Sequence, residues 1–381
     1  MKILVLGAGK QGRAAAFDLL RNPELEQVDI ADRDRDALEA LRDRLDDERV
    51  GIHELDVLDA DATAEILQGY DACLNAVSYR HNLEVTRAAI TARTHLCDLG
   101  GSIEAVSQQL KLDTAAFDAG VTAVPDCGLS PGLATLLAAH TIRQLDETSA
   151  VHIRVGALPR DPIPPLHDQL SIPVEALIDK YSERAILIRD GVKLSIEPLS
   201  EVEEIEFPAP FGTLEAFHTA GGLSTLIGTF AGKVRNMDHK TIHYPGHCAR
   251  MRPLRELGFF GRELVAIGSE ELERRQVTAR VLEDVLQGEA PDVVLLRVTV
   301  LGAKFGGRQR LEYEIIDRAD EATGMSAMMR CTAWTASIVA QMLAQGRIDR
   351  RGVVPLERCA PGEELIAALR QRGVNIVLRR S

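Results

Sequence analysis

The sequence holds no apolar stretch near the roughly 18–20 residues that a helix needs to cross a bilayer. Runs such as Ile3 to Leu6 and Val293 to Leu296 are strand-sized. There is no secretory leader pattern, because Met1-Lys2 leads directly into a short strand and a glycine turn. A cytoplasmic location and no membrane partner are therefore expected. Positive charge is never concentrated: the formal net charge is -13 and the basic residues are scattered, which excludes nucleic acid as the expected partner. The six cysteines (Cys73, Cys97, Cys127, Cys248, Cys331, Cys359) form no CxxC pair and read as small buried thiols. No internal repeat or low-complexity segment is present.

What is present suits a folded globular chain, with 45% hydrophobic and 27% charged residues. Its 381 residues exceed one ordinary core and imply two domains. Up to about Val124, strand and helix patterns alternate: Lys2 to Leu6, Gln27 to Asp32, Gly51 to Leu55, Ala72 to Ala76, His95 to Leu99 and Val121 to Val124 read as strands. The stretch from about Ile103 to Ala119 reads as one helix. Such alternation needs crossovers, so the expected fold is α/β, a Rossmann-type doubly wound parallel sheet covered on both faces. After Pro131-Gly132 and a helix over about Leu133 to Gln144, longer strands dominate. They are Ala150 to Val155, Glu201 to Phe207, Lys240 to Tyr244, Val293 to Val300 and Gln309 to Ile316. These predict an inserted α+β domain of largely antiparallel strands. A last apolar helix, about Ala327 to Gln345, ends at Gly346. The domains are expected at 1–132, completed by about 327–360, and at 133–326 for substrate binding and oligomerisation.

Gly7-Ala8-Gly9-Lys10-Gln11-Gly12 follows the first strand and opens a helix. In that setting Gly7 allows a tight turn, Gly9 lets backbone approach a pyrophosphate, and Gly12 allows close helix–sheet packing. Lys10 and Gln11 lie in the same turn, and the helix N-terminus faces the phosphates. Asp32, about 20 residues beyond Gly12, ends the second strand, where a carboxylate accepts from ribose hydroxyls and repels a 2′-phosphate. That favours NAD, while the adjacent Arg33 leaves NADP open. Asn75-Ala76-Val77 ends the fourth strand and is expected to line the same cleft, followed by Ser78 and Tyr79 on the substrate side.

Several segments, taken together, resemble the saccharopine dehydrogenase family, most closely its lysine 6-dehydrogenase branch. They are Val5-Leu6-Gly7-Ala8-Gly9, Asn75-Ala76-Val77-Ser78-Tyr79, Cys97-Asp98-Leu99-Gly100-Gly101 and Pro125-Asp126-Cys127-Gly128-Leu129-Ser130-Pro131-Gly132. Further on, Glu215 to Leu226 (including His218-Thr219-Ala220-Gly221-Gly222) and Lys240-Thr241-Ile242-His243-Tyr244-Pro245-Gly246-His247 continue the match. The resemblance implies NAD(P)-dependent oxidation of an amino acid amine, in that branch the ε-amine of lysine, with loss of ammonia. The alternatives are a saccharopine dehydrogenase or reductase and a carboxyspermidine-type dehydrogenase. Phe217 to Ser224 lacks the YPNRDS-like stretch of the fungal saccharopine enzymes, which lowers the case for a second dicarboxylate arm. Ser78-Tyr79-Arg80-His81 also departs from the lysine dehydrogenases. A reading of another class is a non-catalytic NAD(P)-sensing protein.

Amine oxidation needs a base, because the nitrogen must lose its proton before hydride leaves its carbon. Asp126, placed at a strand end in a rigid turn, is the first candidate, and His218 the second. Asp98, Thr219, Gly221 and Gly222 join Ser78 and Tyr79 as expected substrate contacts, with Gly128 and Leu129 on the cofactor side. Arg154 and Arg160 are candidates to pair with a substrate carboxylate. A zinc site drawn from His243, His247 and Cys248 spans a turn and lacks a fourth partner, so no metal is expected. A homodimer or higher homo-oligomer is expected.

Overall fold

A computed structural model describes residues 1–381, which divide into two compact units. The first comprises Met1–His140, Ser224–Thr229 and Met329–Val374; the second comprises Thr141–Leu223, Phe230–Met328 and Asn375–Ser381.

In the first unit, β1 (Lys2–Leu6), β2 (Gln27–Asp32), β3 (Val50–Glu54), β4 (Ala72–Asn75), β5 (His95–Asp98) and β6 (Thr122–Val124) form a parallel sheet. A seventh strand, Gly352–Val353, adds beside β6, so the order runs from it through β6, β5, β4, β1 and β2 to β3. Ile3, Leu4, Val5 and Leu6 have no exposed surface, as a central strand covered on both faces requires. The helix α1 (Lys10–Leu20) turns its small residues Gly12, Ala14, Ala15 and Ala16 inward, which brings it close to the sheet. Asp34, Asp59 and Ser102 each cap a following helix by accepting a backbone N–H.

The single helix expected over Ile103 to Ala119 is instead two, Ile103–Leu110 and Asp113–Asp118. The second starts at Asp113, whose carboxylate accepts the Val353 N–H at 3.0 Å and so ties this corner to the added edge strand. The long helix Ala327–Ala344 ends as expected, with Gly346 in the left-handed region at φ 67°. Within the first unit it is fixed through Ser337, which donates to Asp18 at 2.7 Å; Arg372 also donates to Asp18.

The second unit holds a nine-stranded sheet. Its spine runs Glu203–Phe207, Gly212–Phe217, Val234–His243, Glu147–Pro159, Asp292–Lys304, Gly307–Arg318 and Ile376–Arg380. Only the pairing of Val234–His243 with Glu147–Pro159 is parallel. The largely antiparallel expectation therefore holds. Helices Val174–Ser182, His247–Glu256 and Arg274–Leu286 share a core around Ile178, Tyr181, Phe217, Met251 and Leu282. No helix is long and apolar enough to cross a membrane.

Candidate active site

The carboxyl ends of five parallel strands converge on one edge of the first unit's sheet, where residues that follow or end them carry the chemistry. The strand order reverses between β1 and β4, which is where doubly wound sheets bind nucleotides. Gly7 sits at φ 104° and donates its N–H to Ala31 at 2.7 Å. A Cβ on Gly12 would lie 1.8 Å from the Gly7 carbonyl oxygen, so no side chain fits there. A Cβ on Gly9 would meet nothing within 4 Å. Gly9 precedes α1 without a side-chain cap, and the first turn holds no acidic residue. Open space, uncapped N–H groups and the helix dipole together fit a dinucleotide's phosphates. Lys10 is exposed on this turn, while the Oε1 atom of Gln11 is buried and without a hydrogen bond.

Asp32 ends β2 with its carboxylate already oriented. Its Oδ2 accepts the Ala8 N–H at 2.7 Å and its Oδ1 the Asp34 N–H at 3.0 Å. Arg33 is exposed. At the end of β4, Asn75 is buried, donates to Asn82 at 3.0 Å and accepts from the Val77 N–H. Ala76 backs the glycine turn: its carbonyl lies 3.1 Å from where a Gly7 Cβ would be. Ser78 is exposed and leads into a single helical turn at Tyr79–His81. Tyr79 packs against Gly101, whose φ of 128° and missing Cβ make room for the ring.

Two buried aspartates lie beyond β5 and β6. Asp98 Oδ1 accepts the Gly100 N–H at 2.8 Å and the Asp126 N–H at 3.2 Å, and Oδ2 accepts from Gln109 at 2.7 Å. Burial pushes Asp98 above the usual carboxylate range, though these hydrogen bonds oppose the shift. Asp126 is 3% exposed and holds a left-handed backbone, φ 59°, a conformation that side chains other than Gly adopt at a cost. Its Oδ2 accepts the hydroxyl of Ser224, and its Oδ1 is buried without a hydrogen bond. Gly100 leaves the room: a Cβ there would fall 2.0 Å from that Oδ1. Burial, then the Asp98 charge, push Asp126 up to about 8. Ser224 is itself anchored in this unit by its neighbours, since Thr225 and Thr229 donate to the buried Glu357 at 3.1 and 2.6 Å. Neither Ser224 nor Glu357 was among the sequence candidates.

The turn after Asp126 is rigid. Leu133 donates to the Gly128 carbonyl at 2.8 Å, and a Cβ on Gly132 would fall 2.0 Å from that same oxygen. Gly128 packs against the Leu99 carbonyl and Leu129 is buried, so both serve as packing elements of the turn.

In the second unit, the His218 ring is fixed at both nitrogens. Nδ1 donates to the His239 carbonyl at 2.9 Å, and Nε2 lies 3.3 Å from the Glu201 carboxylate. Burial lowers its pKa. That arrangement suits a positioning residue better than a proton shuttle. Thr219 shares a 2.6 Å hydrogen bond with Thr241. Gly221 adopts φ 92°, and Gly222 lies against the His239 ring, where a Cβ would come within 2.2 Å. Neither glycine N–H meets a protein acceptor.

Beside them, the Lys180 carbonyl accepts the Ala220 N–H at 3.1 Å. Burial lowers the pKa of the Lys180 ammonium. The two arginines considered for a carboxylate are committed elsewhere: Arg154 binds Glu203 and Asp238, and Arg160 binds Asp161.

These two sets of residues lie within a chain whose two halves match known models. The model described as the saccharopine dehydrogenase NADP binding domain matches residues 3–124, and that described as the saccharopine dehydrogenase C-terminal domain matches residues 128–374. The chain belongs to the saccharopine dehydrogenase family.

It is an NAD(P)-binding oxidoreductase of that family. Among solved structures, it is similar to the apo, histidine-tagged saccharopine dehydrogenase (L-Glu forming) of Saccharomyces cerevisiae. Identity is 16%, the TM-score is 0.80, and the match covers 100% of this chain and 99% of the other. It is also similar to the homospermidine synthase of Legionella pneumophila in complex with NAD. There identity is 12%, the TM-score is 0.67, and coverage is 100% and 91%. Identities this low establish a shared fold.

Proposed function

We propose that this family member oxidises the amine of a lysine-like amino acid, with Asp126 as the base and NAD as the favoured cofactor. The observation that carries the reading is Asp126 itself. It is a buried carboxylate at the carboxyl edge of the parallel sheet, with one oxygen held by Ser224 and the other unpaired. A general base works best when its pKa lies near the working pH, and about 8 meets that condition. An ammonium placed at Oδ1 gives up its proton there and leaves a neutral amine.

The nicotinamide, when bound, accepts the hydride from the amine carbon. Water then converts the resulting imine to a carbonyl with release of ammonia. Besides the base, the chain contributes positioning. Ser224 holds Oδ2, so the proton goes to Oδ1; the Asp126 N–H, donated to Asp98, keeps the strained turn in register. Asp98 and Glu357 add negative charge, which keeps Asp126 basic and favours a cationic substrate.

On the cofactor side, Asp32 supports NAD over NADP. The Ala8 and Asp34 N–H groups fix its carboxylate, which then accepts from ribose hydroxyls and opposes a 2′-phosphate. Within the second unit, the N–H groups of Gly221 and Gly222 meet no protein acceptor and are donors of the kind that suits a carboxylate.

The test is a panel of lysine, ornithine, saccharopine and polyamine-derived amino acids with NAD and NADP, followed at the reduced nicotinamide absorbance. Turnover with at least one carboxylate-bearing primary amine is expected. Turnover of none of them removes the amine reading and leaves a cofactor-binding protein of another role.

A further inference from the structure

A second cluster of polar side chains lies wholly inside the second unit and takes no part in the reading above. His243, the last residue of Val234–His243, and His247, the first of helix His247–Glu256, stack face to face with centroids 4.0 Å apart and planes 9° apart. The Phe217 ring lies nearly parallel beside both, with centroids 5.2 Å from His243 and 6.2 Å from His247. At one edge of the two rings stands the Tyr181 hydroxyl, 3.2 Å from His243 Nε2 and 2.8 Å from His247 Nε2. Near their other edge stands Asp168, with Oδ2 at 3.5 Å from His243 Nδ1 and 4.0 Å from His247 Nδ1. All three would-be ligands are buried.

The hydrogen bonds fix where the ring protons are. The Leu166 carbonyl only accepts, so His247 Nδ1, at 2.9 Å, carries a proton and donates to it. His247 Nε2 is then an acceptor and takes the Tyr181 proton. The Tyr181 oxygen can now only accept, so His243 donates from Nε2. His243 Nδ1 is left as a bare lone pair, buried and without a hydrogen bond, facing a carboxylate oxygen. Two acceptors facing each other in a buried place call for a positive group between them.

We propose that Asp168, His243 and His247 bind a divalent cation of the Zn2+ class. Ligand atoms at about 2.0–2.1 Å on a tetrahedral ion lie roughly 3.3–3.5 Å apart, and the Asp168–His243 pair already has this spacing. His247 Nδ1 completes the set by exchanging the Leu166 carbonyl for the ion and moving its proton to Nε2. Tyr181 then accepts an N–H from both imidazoles, the kind of outer contact that orients metal-bound histidines. Water fills a fourth position. Cys248, next in sequence to His247, is not a ligand: its thiol faces the Leu199 carbonyl.

The test uses the full chain, stripped with a chelator and titrated with Zn2+ alone, and with Co2+ as a spectroscopic probe. One Zn2+ per chain is expected, with a rise in Tm. Co2+ should give the visible bands of a tetrahedral nitrogen–oxygen site without a thiolate charge-transfer band. His243→Gln and Asp168→Asn should each weaken Zn2+ by about tenfold or more, while Cys248→Ser leaves it unchanged. If those variants misfold, the wild-type cobalt spectrum still decides. No stoichiometric uptake, uptake that survives both substitutions, or a thiolate band would overturn the proposal; the first result would mean that a proton fills the gap. None of these readouts depends on turnover, so the outcome is separate from that of the amine reading.

Discussion

Ser224 donates its hydroxyl to Oδ2 of Asp126, the buried carboxylate whose other oxygen has no partner. The two residues stand 98 positions apart, and both belong to the unit that carries the parallel sheet. The contact holds Oδ2, so in the proposed reaction the proton goes to Oδ1. The first prediction follows: Ser224→Ala should lower kcat by about tenfold, because Asp126 loses its orientation and gains basicity at once. Cofactor affinity, measured by fluorescence titration, should change little. An unchanged kcat would mean that Ser224 only packs.

The glycine turn separates folding from binding. Gly9→Ala meets no protein atom, so Tm should hold within about 2 °C while cofactor binding weakens by tenfold or more. Gly12→Ala forces a Cβ to 1.8 Å from the Gly7 carbonyl and should lower both Tm and cofactor affinity. Thermal melts with and without NAD check the pair; equal effects would place the phosphates elsewhere.

Asp32→Ala should weaken NAD more than NADP, by about tenfold in the ratio of dissociation constants. Some loss of both is expected, since Ala8 and Asp34 also lose their acceptor. Equal losses would show that the ribose is read by another residue.

The pH dependence of stability carries a definite sign. Asp126 has a folded pKa of about 8, against an ordinary value of 3.8. Below about pH 4 it is protonated in both states. Between about 4 and 8 the unfolded chain ionises while the folded chain keeps its proton. This carboxyl therefore lowers stability as pH rises through that window, at up to about 1.4 kcal/mol per pH unit, and no further above it. Asp126→Asn keeps an acceptor for Ser224 and tolerates the left-handed backbone. Denaturant melts should show a flatter pH slope for the variant and greater stability than wild type at pH 8. Identical slopes would mean that Asp126 is ionised in the folded protein. In the wild type, kcat/KM should rise with pH up to about 8 as the base loses its proton.

How much of this was legible in the sequence depended on distance along the chain. The strand Lys2–Leu6, the turn to Gly12 and the acid at Asp32 are local patterns set by backbone geometry, and the structure has them where the pattern places them. The turn that holds Asp126 was readable for the same reason, as a short glycine and proline segment at a strand end. Ser224 and Glu357 were not, because their partners are remote in sequence: Glu357 meets Thr225 across 132 positions. The histidine pair illustrates the same limit. By residue type the sequence offered Cys248 beside the pair, and its spacing argued against a metal; folding brings Asp168, not Cys248, to the two histidines. The two-residue strand Gly352–Val353 is too short to carry any periodicity, and the C-terminal strand Ile376–Arg380 lies outside the strand–helix alternation that marked the short strands of the first unit.

The most direct test of the central claim compares wild type with Asp126→Asn at saturating cofactor and amine, following nicotinamide reduction at pH 8. With Asp126 as the base, kcat should fall by about 100-fold or more while the cofactor dissociation constant stays within about twofold. An Asp126→Asn enzyme that turns over at the wild-type rate would contradict the account and move the proton transfer to another group.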